Sequence, residues 1–172
     1  MEVFWITVNG SYTLMKQKIY IETSVIGYFV ARPSKNLVAA GHQAATQDMW
    51  NMLDEFDVYI SDLVIQEASQ GDKTQAALRL NALEQFQVLE IDDDGKKLAH
   101  ILVKHKAVPD KCPEDALHIA IAAVNGIDVI VTWNFKHINN PFTKMAIRQV
   151  IENSGYLCPE ICSPDEFLGD EL

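Results

Sequence analysis

Glu22, Glu67, Asp115 and Asn134 are the side chains of this sequence whose types and settings suit chemistry on a divalent cation. Carboxylates gathered at one point repel one another unless a hard ion such as Mg²⁺ or Mn²⁺ lies between them, and oxygen donors are what such ions take. Each residue also has an ordinary explanation. A glutamate after a strand serves as a solvated loop residue, and Glu67 fits the exposed face of a helix. Asp115, with Glu114 beside it, is favoured at a helix start by the macrodipole alone. Asn134 and Thr132 can close a local turn on their own backbone. Singly, the ordinary reading holds for all of them; their joint order along the chain is what separates them from it.

The elements that must position these residues are legible as a strand–helix alternation. Lys18 to Thr23 reads as a short strand carrying Glu22 near its C-terminal end, followed by a brief apolar turn over Val25 to Val30 and a break at Arg32-Pro33-Ser34. A helix is expected from about Leu37 to Phe56. Val58 to Ile60 gives a second strand, with Ser61 or Asp62 capping a helix that holds Glu67 near its end. Thr74 to Gln85 is a further helix, Val88 to Ile91 a third strand, and Asp92-Asp93-Asp94 leads into a helix over Lys96 to Lys106. Pro113 precedes an alanine-rich helix, Glu114 to Val124, which Asn125-Gly126 ends. Asp128 to Thr132 is apolar enough to be a strand buried on both faces. A helix over Thr143 to Asn153, a last strand at Ile161 and a terminal helical turn at Pro164 to Leu168 complete the order. Strands alternating with helices through short connections imply an α/β fold with a mostly parallel sheet covered on both faces. Ligands in such sheets bind at the carboxyl ends of the strands, which singles out Glu22 to Ser24 and Thr132 to Asn134.

Composition bounds the function further. The chain of 172 residues, 48% hydrophobic and 22% charged, suits one globular domain. Residues 1–17 read as an N-terminal extension and 18–169 as the domain. The extension lacks the basic n-region, long apolar core and small-residue cleavage site of a signal peptide, so a cytoplasmic protein is expected. Cys112, Cys158 and Cys162 are expected as buried or half-buried free thiols, because no second Cys/His pair completes a structural zinc site. A net charge of −10 opposes indiscriminate nucleic-acid binding. Acids are nevertheless absent from Thr23 to Gln47, which holds Arg32, Lys35 and His42, and from Val129 to Ile151, which holds Lys136, His137, Lys144 and Arg148.

The motifs resemble those of the PIN domain family. Tyr20-Ile21-Glu22-Thr23-Ser24 is similar to the family's opening strand with its acid and hydroxyls. Ile60-Ser61 through Gln66-Glu67 is similar to the segment of the second acid, and Glu114-Asp115-Ala116-Leu117-His118-Ile119-Ala120 to the D-x-x-x-A helix start of the third. Asp128 to Phe135 resembles the strand, threonine and polar residue that close the pocket. The resemblance spans about Lys18 to Leu168.

What the resemblance implies is a three-layer α/β/α sandwich and a metal-dependent endoribonuclease, most often the toxin of a toxin–antitoxin pair (VapC-like). On that reading Glu22, Glu67 and Asp115 hold Mg²⁺ or Mn²⁺, and Asn134 orients water or phosphate. Thr23, Thr132 and His118 steady the carboxylates. Arg32, Lys35, Lys136 and Lys144 form a positive rim for RNA. His137 is placed for phosphate contact, and Trp133 for packing or for base stacking. Two departures stand out: Glu22 replaces the usual aspartate, and Asn134 removes one negative charge from the pocket. They keep open a non-catalytic RNA- or protein-binding module. A hydrolase of small phosphorylated molecules is opposed by the absence of G-x-G-x-x-G and G-x-x-x-x-G-K-[ST]. Implied partners are RNA, an antitoxin covering the pocket and a second copy of the chain, with Met49 and Trp50 either walling a groove or packing in the core.

Overall fold

The computed structural model describes residues 16–169 and, before them, two strands, β1 (Trp5–Val8) and β2 (Ser11–Leu14), paired antiparallel in a sheet of their own. The remainder of the expected extension lies outside the described residues. Among the described residues the main sheet has five strands, β3 (Lys18–Ile21), β4 (Asp57–Ser61), β5 (Gln87–Leu89), β6 (Val129–Val131) and β7 (Glu160–Cys162). Their order is β5-β4-β3-β6-β7 and every pairing is parallel.

Between them run α1 (Thr23–Val30), α2 (Leu37–Trp50), α3 (Asp62–Ala68), α4 (Lys73–Leu83), α5 (Asp93–Lys104), α6 (Pro113–Val124), α7 (Pro141–Asn153) and α8 (Pro164–Leu168). The connections from β3 through β4 to β5 step across the sheet one way, and those from β5 to β6 and on to β7 step the other way. Right-handed crossovers therefore place α1 to α4 on one face and α5 to α7 on the opposite face. The helices pack in those two groups, with α8 against α2. The result is the α/β/α sandwich anticipated from the alternation of elements.

Two expectations need correction. The segment Val25 to Val30 is helix α1 rather than an apolar turn, and it begins at Thr23, so Glu22 is its N-cap residue instead of a strand residue. The helix expected to Phe56 ends at Trp50 and continues as a 3₁₀ turn over Leu53–Glu55. Met49 is fully buried in the core, whereas Trp50 is half-buried: it stacks on Phe29 with centroids 3.8 Å apart and also lines a groove of about 460 Å³ with Lys16, Leu53 and Phe86. Elsewhere the ends move by a few residues, as helix and strand boundaries do. Asp92, Asp72 and Ser61 accept from backbone N–H groups of the helices they cap.

The core explains why the central strands are so apolar. Ile19, Tyr20 and Ile21 of β3 and Ile130 and Val131 of β6 are fully buried between the two helical layers. Burying each aliphatic side chain there contributes roughly 1.5–3 kcal/mol. The order reverses between β3 and β6, where chains leave for opposite faces and open a crevice at the carboxyl edge. Among the described residues, no helix is long and apolar enough to cross a membrane.

Candidate active site at the sheet's carboxyl edge

At that reversal the backbone itself locks the first acid in place. The N–H of Glu22 donates to Val131 O at 3.1 Å, continuing the β3–β6 ladder one residue past the strand. The side chain, 6% exposed, receives Thr132 Oγ1 on Oε2 at 2.7 Å and Ser24 Oγ on the same oxygen. Those hydroxyls accept in turn from the backbone of the facing loop, Asn134 N at 2.9 Å to Thr132 and Trp133 N at 2.9 Å to Ser24. Both hydroxyls serve Oε2, so Oε1 has no protein donor among the described residues.

Glu67 arrives from the last turn of α3. Its Oε2 accepts from Thr23 Oγ1 and, at 3.0 Å, from His118 Nε2. Behind His118 lies a buried chain: Tyr20 Oη is 2.7 Å from His118 Nδ1 and 2.7 Å from Ser61 Oγ, which accepts from Val64 N at 3.4 Å. One proton arrangement satisfies every member. Val64 N–H donates to Ser61, Ser61 to Tyr20, Tyr20 to Nδ1, and Nε2–H to Glu67. Burial alone would raise the Glu67 carboxyl, but the His118 contact and the Thr23 hydroxyl outweigh it and hold the group below its ordinary range. Burial pushes the Tyr20 hydroxyl far up. The Ser61 hydrogen bond opposes that shift, and the charges of Glu22 and Glu67 add to it.

The other acid stands across a cleft. Asp115 lies in the first turn of α6, which Pro113 opens. Its Oδ1 accepts from Asn134 Nδ2 at 3.0 Å and its Oδ2 lies 2.9 Å from His137 Nδ1, while Asn134 Oδ1 accepts from His137 N at 3.0 Å. The cleft, about 440 Å³, is lined by Leu63, Gln66, Glu67, Gln70, Lys111, Cys112, Glu114, Asp115, Asn134 and His137.

The four candidates of the sequence therefore fall into two groups. Glu22 and Glu67, with His118, bring ligand atoms within 4.8 Å of one another, and Asp115 forms a separate group with Cys112 and His137. Thr23 and Thr132 donate to Glu67 and Glu22 respectively. Trp133 is 7% exposed, stacks on His42 at 3.9 Å and donates Nε1 to Thr46, which makes it packing rather than a platform for bases. Of the basic residues, Arg32, Lys35 and Lys136 are exposed outside the cleft lining, and Lys144 donates Nζ to Ile161 O at 2.9 Å. Lys111, which sequence reasoning passed over, is the lysine that lines the cleft. Tyr20 was also missed, because a tyrosine inside a buried strand reads as core.

The PIN domain pattern matches residues 19–141. In structure the chain is similar to VapBC2 from Rickettsia felis bound to a DNA fragment from their promoter, at TM-score 0.53 and 15% identity. That match covers 84% of this chain and 98% of the other. It is likewise similar to VapC20 of Mycobacterium tuberculosis, a Sarcin-Ricin loop cleaving toxin, at TM-score 0.53 and 16% identity, covering 81% of this chain and 96% of that one. Among curated proteins, none matches by sequence. With the pattern running over residues 19–141 of 172, this protein belongs to the PIN domain family.

Proposed function

We propose that this protein is a metal-dependent endoribonuclease acting as the toxin of a toxin–antitoxin pair. The observation that carries the reading is the meeting of Glu22 and Glu67 at the sheet's reversal, beside a cleft that Asp115, Asn134 and His137 enter from the other wall. The donor set fits Mg²⁺ or Mn²⁺: two carboxylates from different elements approach closely, and each has one oxygen steadied by hydroxyls. Glu22 and Glu67 would hold the ion, with Asp115 joining from across the cleft. Bound there, a divalent ion supplies Lewis-acid activation of the phosphodiester and of the attacking water.

The chain's own groups do the rest. Thr132, Ser24, Thr23 and His118 fix the carboxylate rotamers, so the site is ordered before substrate arrives. Asn134, tied to both Asp115 and His137, orients water or a phosphate oxygen. Lys111 at the cleft, with Lys136 next to the lining residue His137, offers positive charge that a net −10 protein otherwise lacks, and the exposed Arg32 and Lys35 would extend it for RNA. The likeness to a Sarcin-Ricin loop cleaving toxin and to VapBC2 supports an RNA substrate, an antitoxin partner and a cytoplasmic setting. Leu37, 89% exposed, and Val38, 67% exposed, at the start of α2 are the apolar side chains of that helix left for a partner or a second copy.

The deciding experiment incubates structured and unstructured RNAs with the protein in Mg²⁺, in Mn²⁺ and in EDTA, alongside Asp115→Ala. Cleavage that requires the ion and disappears in the variant is expected. Cleavage that persists in Asp115→Ala would remove Asp115 from the site; if no RNA is cut, failure to bind Mn²⁺ by calorimetry would favour the non-catalytic module, whereas Mn²⁺ binding would mean that the substrate lay outside the RNAs tried.

A further inference from the structure

Cys112, Asp115 and His137 bring one ligand atom each within 4.8 Å of one another on the outer wall of the cleft. They differ in kind from the oxygen-rich group around Glu22. A thiol, an imidazole and a single carboxylate are the donors preferred by zinc and its neighbours, not by magnesium. We infer that these three side chains form a binding site for a thiophilic transition ion, Zn²⁺ foremost, and that filling it withdraws Asp115 from the nuclease site and stops cleavage. The inhibitory half of this inference rests on the function proposed above; the binding half does not.

Three features make the group a built arrangement. Cys112 is the N-cap residue of α6 and precedes Pro113, which keeps its backbone out of the helical region, at φ −132° and ψ 57°. Asp115 follows three positions later and so lies on the same side of the helix. His137 comes from the loop after β6 and is pinned by its N–H to Asn134 Oδ1 at 3.0 Å, with Nδ1 already 2.9 Å from Asp115 Oδ2. An ion bonded to both atoms at about 2.0 Å in tetrahedral geometry sets them about 3.3 Å apart, a shift of a few tenths of an ångström. Three protein ligands leave a fourth position open to the cleft. Binding displaces the Cys112 thiol proton to solvent and leaves the His137 proton on Nε2. The other thiols contrast with this one. Among the described residues, neither Cys158 nor Cys162 belongs to a comparable group.

The test titrates metal-free protein with Co²⁺, a spectroscopic stand-in for zinc, in a Cys158→Ser/Cys162→Ser background. A thiolate-to-cobalt charge-transfer band with intense tetrahedral d–d bands is expected, reversed by Zn²⁺. Cys112→Ser should abolish the thiolate band, and His137→Gln should lose the tetrahedral bands. Zinc affinity by competition should fall at least about 10-fold in either, the lower end for disturbing even an outer partner of a metal ligand. Only weak octahedral bands in the parent, or a thiolate band that survives in His137→Gln with unchanged intensity, would overturn the site. Far-ultraviolet circular dichroism checks folding, and the two variants share no hydrogen bond, so misfolding of one leaves the other to decide. RNA cleavage, scored against each variant's own rate in Mg²⁺, should be zinc-inhibited in the parent and at least about 10-fold less sensitive in Cys112→Ser. Inhibition equally strong in Cys112→Ser would overturn the inhibitory half, whereas absence of any RNA cleavage would defeat the nuclease reading and leave the cobalt spectrum to judge the site.

Discussion

The two walls of the cleft are built on opposite plans. Behind the inner wall, which Glu67 lines with its side chain 28% exposed, Tyr20, Ser61 and Thr132 are fully buried, His118 is 1% exposed and Glu22 6%, and each hydrogen-bonds to another protein group. On the outer wall Asp115 and His137 are 17% and 16% exposed in their side chains, and Cys112 and Asn134 are half-buried. Local electrostatics also run oppositely. Asp115 sits in the first turn of α6, where the helix dipole favours an anion, while Glu67 sits in the last turn of α3, where it does not. Asp115 needs no special support. Burial works against the Glu67 anion and the hydrogen bonds from His118 and Thr23 favour it, and a buried polar cluster of this kind is tolerable only when fully satisfied. The inner wall is therefore the rigid, expensive part of the site, and the outer wall is the part that can adapt or be captured.

The largest effects should come from the inner carboxylates. Glu22→Gln and Glu67→Gln are each expected to lower metal-dependent RNA cleavage by more than about 100-fold, since losing even an outer partner of a metal ligand costs about 10–100-fold. Glu22→Gln should keep metal-free stability within about 1 kcal/mol, because the amide oxygen can accept the same two hydroxyls. Urea melts run beside the activity assay separate the two outcomes; unfolding in parallel with the lost activity would mean that Glu22 is structural. Next in size is Tyr20→Phe, which strips Ser61 and His118 of a shared partner in a dry interior. A loss of about 1–3 kcal/mol is expected by urea denaturation, against about 1 kcal/mol or less for the more exposed His137→Ala. Equal losses would erase the distinction between the walls.

The same contrast decides what the sequence could reveal. Strand and helix order, the parallel sheet, and the places of Glu22 and Asn134 just beyond strands and of Glu67 and Asp115 on helices follow from hydrophobic runs and breakers, which are local signals. Helix α1 does not. Thr23-Ser24-Val25-Ile26-Gly27-Tyr28-Phe29-Val30 is β-branched, aromatic and interrupted by glycine, a poor helix on propensity. It forms because Val25 and Ile26 are buried in the core, a tertiary reason no local window contains. His118 was placed on the Asp115 face by spacing, and it is three residues along that face, yet its partner is Glu67, from an element 51 residues away. Tyr20 and Cys112 carried no local sign at all, because their neighbours are set by the β3–β6 reversal and by the loop that returns His137 to α6.

Acid should sharpen the comparison by a smaller amount. The folded Glu67 carboxyl lies below its ordinary range, so the unfolded chain takes up the proton first. Its contribution is present above the unfolded value of about 4.3 and is lost as pH falls through the lower folded one. Urea midpoints of metal-free wild type and Glu67→Gln should therefore converge on acidification across that window. A constant gap would mean that His118 and Thr23 do not favour the ionised form.

The smallest effect, and the most direct probe of the outer wall, belongs to Asn134→Asp. Asn134 Nδ2 donates to Asp115 Oδ1 at 3.0 Å, so an aspartate there replaces a hydrogen bond with two facing carboxylate oxygens. The backbone support is untouched, since Asn134 N still donates to Thr132 Oγ1 and the new carboxylate can still accept from His137 N. With one hydrogen bond lost on a half-exposed surface, metal-free stability should drop by about 1 kcal/mol. A divalent ion reverses the sign of the same change, because an added carboxylate attracts it where the amide does not. Thermal melts of wild type and variant with and without Mg²⁺ should then show a lower midpoint for the variant alone and a larger rise on adding the ion. A variant that melts lower and gains nothing from Mg²⁺ would place Asn134 beyond the reach of the ion, and the outer wall would hold substrate without holding metal.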